Sequence, residues 1–136
     1  MIDAVVYDAG MLIALTGRKK KAQVEHASIM RRVRPIIPGP VLAQAWRDSP
    51  QTRYIVSRYL NDCATYTDYT VQDYKRVGVM LGDALLPAKK HPDVVDALVV
   101  LTAAKHGNAV ILTSDPYDIR AYAATLPTAD IVVLDM

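Results

Sequence analysis

Short apolar segments of strand type alternate with segments of helical spacing along almost the whole 136-residue chain. Residues 2–7 and 109–113 are nearly continuously apolar, which is typical of strands covered on both faces. Shorter strands are expected at 35–38, 64–69 and 131–134. This alternation predicts an α/β fold with three layers, α/β/α, around a mainly parallel central sheet. The chain shows no internal repeat and no linker, so residues 1–136 are expected to form a single domain.

Helix boundaries are marked by capping and turn residues. Gly39-Pro40 places proline at the start of one helix, and Thr70 with Asp73 resembles a capping box. Gly107-Asn108 is a typical stop after the clearest apolar stripe. The predicted helices begin near Met11, Lys19, Gly39, Thr52, Thr70, Asp93 and Asp115, with residues 87–92 as a loop.

Cysteine use and hydropathy indicate the compartment. Cys63 is the only cysteine, which excludes an intramolecular disulfide and a multi-cysteine metal site. The first residues carry acids where a secretory signal would carry bases. No apolar run approaches the roughly 20 residues that a spanning helix requires. We therefore expect a cytoplasmic protein without membrane association.

Basic residues are concentrated in the first quarter of the chain, although the net charge is only +2. Two runs stand out, at residues 18–21 and 31–34. Each is either a solvated helix face or a phosphate-binding patch. We expect the first run to contact phosphates or an acidic partner; its residues are Arg18, Lys19, Lys20 and Lys21.

Aspartates follow two of the predicted strands and begin a central helix. Asp8 ends the first strand, Asp115 follows residues 109–113 after Ser114, and Asp96 lies in the first turn of the helix that Asp93 begins. Ligands in open α/β sheets bind beyond the carboxyl ends of the strands. Converging carboxylates repel unless a cation neutralises them, and oxygen ligands suit Mg²⁺ or Mn²⁺. Such ions support phosphodiester hydrolysis.

Local structure offers another explanation for each of these acids. Asp8 could be a turn residue, Asp93 an N-cap with Asp96 as its capping-box partner, and Asp115 an N-cap with Asp118 in the first turn. Capping and metal binding are compatible at Asp115.

Taken in order along the whole chain, these residues resemble the PIN-domain family, and especially the VapC-like toxins of toxin–antitoxin pairs. The features that match are the strand ending in Asp8-Ala9-Gly10, the helix start at Asp96-Ala97-Leu98-Val99, and the strand that runs into Thr113-Ser114-Asp115. The resemblance implies a PIN-like fold and a Mg²⁺- or Mn²⁺-dependent endoribonuclease. It also implies a cognate antitoxin and a homodimer. By position, Asp8, Asp96 and Asp115 correspond to the catalytic metal-binding acids; Asp118 corresponds to an auxiliary acid, and Thr113 and Ser114 to a polar edge.

One position departs from that family's pattern. The helix after Pro38-Gly39-Pro40 usually supplies a glutamate, and this chain has Gln44 there. An amide oxygen can coordinate a cation but carries no negative charge and is no base near neutral pH. Asp48 lies one helical turn later and would supply a carboxylate if the helix continued. Without such a carboxylate, we expect lower metal affinity or activity.

Functions other than a nuclease have less support in the sequence. The three histidines, His26, His91 and His106, have no ligand spacing and are expected to be structural or on the surface. A phosphatase with an aspartate nucleophile usually carries a second aspartate where this chain has Gly10. The stronger alternative is a PIN fold that binds RNA or an antitoxin without cleavage, which Gln44 favours.

Overall fold

Five parallel strands form one sheet in the computed structural model, which describes residues 2–136. The strand order is β3-β2-β1-β4-β5, so the first strand lies at the centre. Hydrogen-bonded neighbours run parallel throughout. The strands are β1 (Ala4–Tyr7), β2 (Ile36–Pro38), β3 (Ala64–Tyr66), β4 (Ala109–Thr113) and β5 (Ile131–Asp135).

Helices connect the strands and cover both faces of the sheet. Because parallel crossovers are right-handed, the β1-β2-β3 connections and the β3-β4-β5 connections lie on opposite faces. The packing agrees, since α1 contacts α2, α3 and α4, whereas α6 lies between α5 and α7. The expected three-layer α/β/α fold is confirmed. The helices are α1 (Ala9–Thr16), α2 (Lys20–Met30), α3 (Gly39–Ala45), α4 (Pro50–Asp62), α5 (Val71–Asp83), α6 (Val94–Ala104) and α7 (Pro116–Ala123).

The core is centred on β1, β4 and α6. All residues of β1 and β4 are buried, as are the seven consecutive residues 97–103 of α6. A helix that is apolar all round must be buried on all sides, and α6 contacts β1, β2, β4 and three helices, α3, α5 and α7. The two strands and the helix that carry the candidate acids are therefore the most constrained elements of the fold.

The strand order reverses direction between β1 and β4. From β1 the chain moves to β2 on one side, and from β4 it moves to β5 on the other. The two strands are in register, with Val5 opposite Val110 and Tyr7 opposite Leu112. The crevice beyond their carboxyl ends is therefore the switch point at which α/β proteins bind ligands.

Most predicted boundaries agree with the structure, and the Thr70–Asp73 capping box is confirmed. Two boundaries were wrong. The strand predicted at 64–69 ends at Tyr66, because the Tyr69 N–H donates to the Thr67 carbonyl and the chain turns. The helix starting at Gly39 was also expected to carry Trp46, but it ends at Ala45 because Trp46 has extended backbone. No helix within residues 2–136 is long and apolar enough to cross a membrane.

Candidate acidic site

Asp8 is both a helix cap and a buried acid. It follows β1 directly, and its Oδ1 accepts a hydrogen bond of 2.9 Å from the Met11 N–H in the first turn of α1. Only 4% of the residue is exposed. Burial raises the pKa of Asp8, although hydrogen bonds from Thr113 and from the Met11 N–H oppose that rise. The turn expected from the sequence is therefore an N-cap, and the carboxylate at this cap lies at the switch point.

The Thr113 hydroxyl joins the ends of β1 and β4. Thr113 is completely buried, and its Oγ1 accepts a hydrogen bond of 2.8 Å from the Asp115 N–H. The same side chain hydrogen-bonds the Asp8 carboxylate. A hydroxyl can accept and donate at the same time, whereas a carboxylate can only accept. The Thr113 hydroxyl therefore accepts from the Asp115 N–H and donates its proton to Asp8. Thr113 therefore fixes the position of Asp8 relative to the start of α7.

Asp93 is the N-cap of α6, as predicted, but Asp96 is not its capping-box partner. The Asp93 Oδ1 accepts from the N–H groups of Val95 and Asp96 at 2.9 and 3.1 Å. In a capping box the Asp96 side chain would accept from the Asp93 N–H. That N–H instead donates to the Tyr122 hydroxyl on α7, at 2.8 Å. The capping-box alternative for Asp96 is therefore excluded, because the Tyr122 hydroxyl accepts from the Asp93 N–H and the Asp96 carboxyl has no part in the cap.

The charges of four aspartates converge on Asp96. Burial, and then the negative charges of its neighbours, raise its pKa from the ordinary 3.8 to about 7. These neighbours come from three separate parts of the chain, which the fold brings together at one end of the sheet. They are, in decreasing order of effect, Asp93, Asp8, Asp115 and Asp118.

The start of α7 supplies two further carboxylates and shows an ion pair that the sequence did not predict. Asp115 occupies the N-cap position, but its side chain makes no capping hydrogen bond. Lys90, from the loop before α6, places its Nζ 3.5 Å from Asp115 Oδ2 and 3.2 Å from Asp118 Oδ2. Asp118 is 8% exposed, and its other oxygen, Oδ1, is buried without a hydrogen-bond partner within residues 2–136.

The donor chemistry of this site fits a hard divalent cation. All the converging groups are carboxylates, and the orphaned Asp118 Oδ1 is a buried acceptor that a cation would satisfy. In the described chain, no group of three or more His, Cys, Asp or Glu side chains is already arranged to hold a metal ion. Asp115 and Asp118 are instead bridged by the Lys90 ammonium group.

Gly10 allows the two strand ends to approach each other. A Cβ at this position would lie 2.0 Å from Ser114 Oγ and 3.3 Å from Asp8 Oδ1. A side chain at residue 10 would force the exposed Ser114 hydroxyl to rotate and would also lie only 3.0 Å from Ser114 Cβ, so glycine favours the close approach of the first turn of α1 to residue 114.

The helix that carries Gln44 is near the acids, but Asp48 is not on that helix. Gln44 is half-buried on α3, which packs against both α1 and α6. The helix ends at Ala45 and does not continue to Asp48, as a contribution from the Asp48 carboxylate would require. Asp48 is almost fully exposed and pairs with Arg53 at 2.6 Å. A fourth carboxylate therefore does not come from this helix, and Gln44 stays a predicted ligand.

The first basic run lies away from the acidic site. Residues 18–21 are exposed and follow the C-terminal end of α1, whereas Asp8 caps its N-terminal end. Eight helical residues separate the two by about 12 Å. This run therefore does not border the carboxylates. The cation that does border them is Lys90, which sequence reasoning missed because nothing in the Lys89-Lys90-His91 segment shows where the loop folds.

The remaining candidates are structural. His26 is buried, with one ring nitrogen 2.8 Å from the Tyr7 hydroxyl and the other 2.9 Å from Asp62. His106 is held 2.6 Å from the Thr102 carbonyl, and Cys63 is buried as a free thiol. None of these three residues faces the acids at the end of the sheet.

Comparison with protein-family models, curated proteins and solved structures finds no match to this chain. The PIN-domain resemblance therefore stays a prediction that depends on the residues themselves. The fold and the positions of the acids at one end of the sheet are independent of it, because they follow from the strand order and the helix starts.

Proposed function

We propose that this chain is a Mg²⁺- or Mn²⁺-dependent endoribonuclease of the PIN-domain type, and the toxin of a toxin–antitoxin pair. The observation that supports it best is the convergence on Asp96 of Asp8, Asp93, Asp115 and Asp118, at the switch point of a parallel sheet. A structural role explains only part of this set. Asp8 and Asp93 cap helices, whereas Asp96 and Asp115 make no capping bond with their side chains.

The electrostatic cost of the cluster is a further argument for a ligand. Crowding of carboxylates destabilises a fold unless a cation compensates for it, and such arrangements are concentrated at functional sites. Asp8, Asp96 and Asp115 would hold the cation, with Asp118 and Gln44 as further oxygen donors. When bound, the cation would lower the pKa of a water molecule and stabilise negative charge on a phosphodiester.

The chain's own residues would orient this site. Thr113 fixes the Asp8 carboxylate relative to Asp115, and Asp93 with Tyr122 holds the first turn of α6 against α7. Ser114 is exposed next to the acids and could hydrogen-bond an RNA oxygen. The cognate antitoxin and the homodimer belong to the proposal through the family resemblance alone.

The test is cleavage of single-stranded RNA by the purified chain. We expect cleavage with Mg²⁺ or Mn²⁺, none with excess EDTA, and none for Asp8→Asn or Asp96→Asn with either ion. Asp83→Asn, an exposed acid at the end of α5, is the matched control and should keep the parent's activity. EDTA-resistant cleavage, or full activity in both site variants, would refute the proposal.

A second candidate is a PIN fold that binds RNA or an antitoxin without cutting RNA. Two observations favour it, the amide of Gln44 at the position of the usual glutamate and the Lys90 ammonium against Asp115 and Asp118. RNA binding without cleavage at saturating Mn²⁺ would select this candidate over the nuclease.

A further inference from the structure

Lys90 is the positive group closest to the acids on α7. Its Nζ contacts one oxygen of Asp115 and one of Asp118, at 3.5 and 3.2 Å. These are two of the four acids whose charges raise the pKa of Asp96. A single ammonium group therefore partly neutralises the side of the cluster that the first turn of α7 forms.

The part of the loop around Lys90 is not packed into the fold, although Ala84 and Leu86 before it contact the core. Residues 87–92 are exposed, and Leu85 is 92% exposed. Lys89 has a φ of +69°, a left-handed conformation that costs a non-glycine residue free energy. The Lys90 N–H donates to the Pro87 carbonyl within the same loop. Withdrawal of the Lys90 side chain would therefore expose no apolar core.

The ammonium group satisfies the acids incompletely. Lys90 reaches Oδ2 of Asp118, whereas Oδ1 of the same carboxylate is buried without a partner within residues 2–136. The side chain of Lys90 is half-exposed, so its ion pairs are screened by water. A divalent cation carries twice the charge and binds six or more oxygens. It would therefore compete effectively for the same carboxylates.

We propose that Lys90 is a resident counter-ion of this site, which a divalent cation must displace, so that the 87–92 loop sets the metal concentration at which the site fills. This inference rests on the proposed function, because it assumes that the acids bind a divalent cation. It adds that metal binding and release of the loop are the same event. Lys90 is thus a regulatory residue and not a catalytic one.

The first experiment is a calorimetric Mn²⁺ titration of Lys90→Met, with Lys89→Met as the matched control. Both variants remove one charge from the same loop, and Lys89 forms no ion pair among the described residues. Loss of a half-exposed charge next to two ligands should tighten Mn²⁺ binding roughly three- to tenfold in Lys90→Met. Lys89→Met should bind as the parent does.

The second experiment follows the loop itself by limited trypsin digestion. Mn²⁺ should speed cleavage after Lys90 in the parent, because the displaced side chain becomes accessible. Mn²⁺ should not speed cleavage at this loop in an Asp96→Asn, Asp115→Asn double variant.

The outcomes distinguish failure of the counter-ion inference from failure of the proposed function. If the parent binds Mn²⁺ but Lys90→Met binds it equally or more weakly, the counter-ion inference is wrong and the proposed function stands. If Lys89→Met tightens binding as much as Lys90→Met, the effect is one of general charge and the inference is also wrong. If the parent does not bind Mn²⁺ at all, both ideas fail.

Discussion

Replacement of Asp96 by asparagine should stabilise the metal-free protein in a pH-dependent way. The pKa of Asp96 is raised to about 7, from 3.8, by burial and by neighbouring carboxylates. The folded state therefore binds this proton more tightly than the unfolded chain does. The destabilising effect of the ionised Asp96 carboxylate is absent below about pH 4, develops between pH 4 and 7, and is complete above pH 7.

The magnitude follows from the size of that shift. A displacement of about three pH units corresponds to an upper limit of about 4 kcal/mol. Asp96 is only partly buried, so solvent screening reduces the value to about 1–2 kcal/mol. For a domain of this length that is a rise in Tm of about 3–8 °C. Asp96→Asn should gain this stability at pH 8 and almost none at pH 4.

The assay is urea unfolding in EDTA at pH 4, 6 and 8, for the parent, Asp96→Asn and the control Asp83→Asn. Saturating Mn²⁺ should reverse the order at pH 8, because the parent then gains binding free energy that the variant lacks. Equal stability of the parent and Asp96→Asn at pH 8 would show that the acids do not repel as the geometry indicates.

The remaining predictions concern the approach of the strands, the fourth ligand and the basic run. Gly10→Ala should destabilise the fold by about 1–3 kcal/mol through overlap with Ser114 Oγ. Thermal unfolding of the double variant Gly10→Ala, Ser114→Gly should show a partial recovery of stability. No recovery would mean that the overlap is not with Ser114. Gln44→Glu should tighten calorimetric Mn²⁺ binding and raise the cleavage rate in the parent, but not in an Asp8→Asn background; unchanged affinity would mean that Gln44 is not a ligand. Neutralising residues 18–21 should weaken RNA or partner binding and flatten the salt dependence of RNA binding, whereas unchanged slope and affinity would leave this run as solvated surface.

The sheet and the acids on its edge were predictable because both depend on periodicity. Buried parallel strands are continuously apolar, so residues 2–7 and 109–113 revealed the centre of the sheet, and Asp8 and Asp115 followed from their ends. Asp96 followed from the helix that Asp93 begins. Such features involve neighbours in sequence, which is the information that a single chain carries.

Contacts between distant segments were not predictable. The Asp93 N–H donates to the Tyr122 hydroxyl and not to Asp96. Lys90 pairs with Asp115, which lies 25 residues later in the chain. Asp48 would lie on the same helix as Gln44 only if α3 had one more turn, but the extended backbone at Trp46 ends this helix. Each of these outcomes depends on the tertiary fold and not on neighbours in sequence alone.

The pairing of β1 with β4 determines when during translation the site can form. Val5 pairs with Val110, so about 100 residues must be synthesised between the two strands. Synthesis proceeds at about 5–20 residues per second, so β1 is made at least several seconds before β4. Until then Asp8 lacks both Thr113 and Asp115. If the proposed nuclease activity holds, a nascent chain in which residues 109–115 have not yet been made would lack a complete site for cutting RNA.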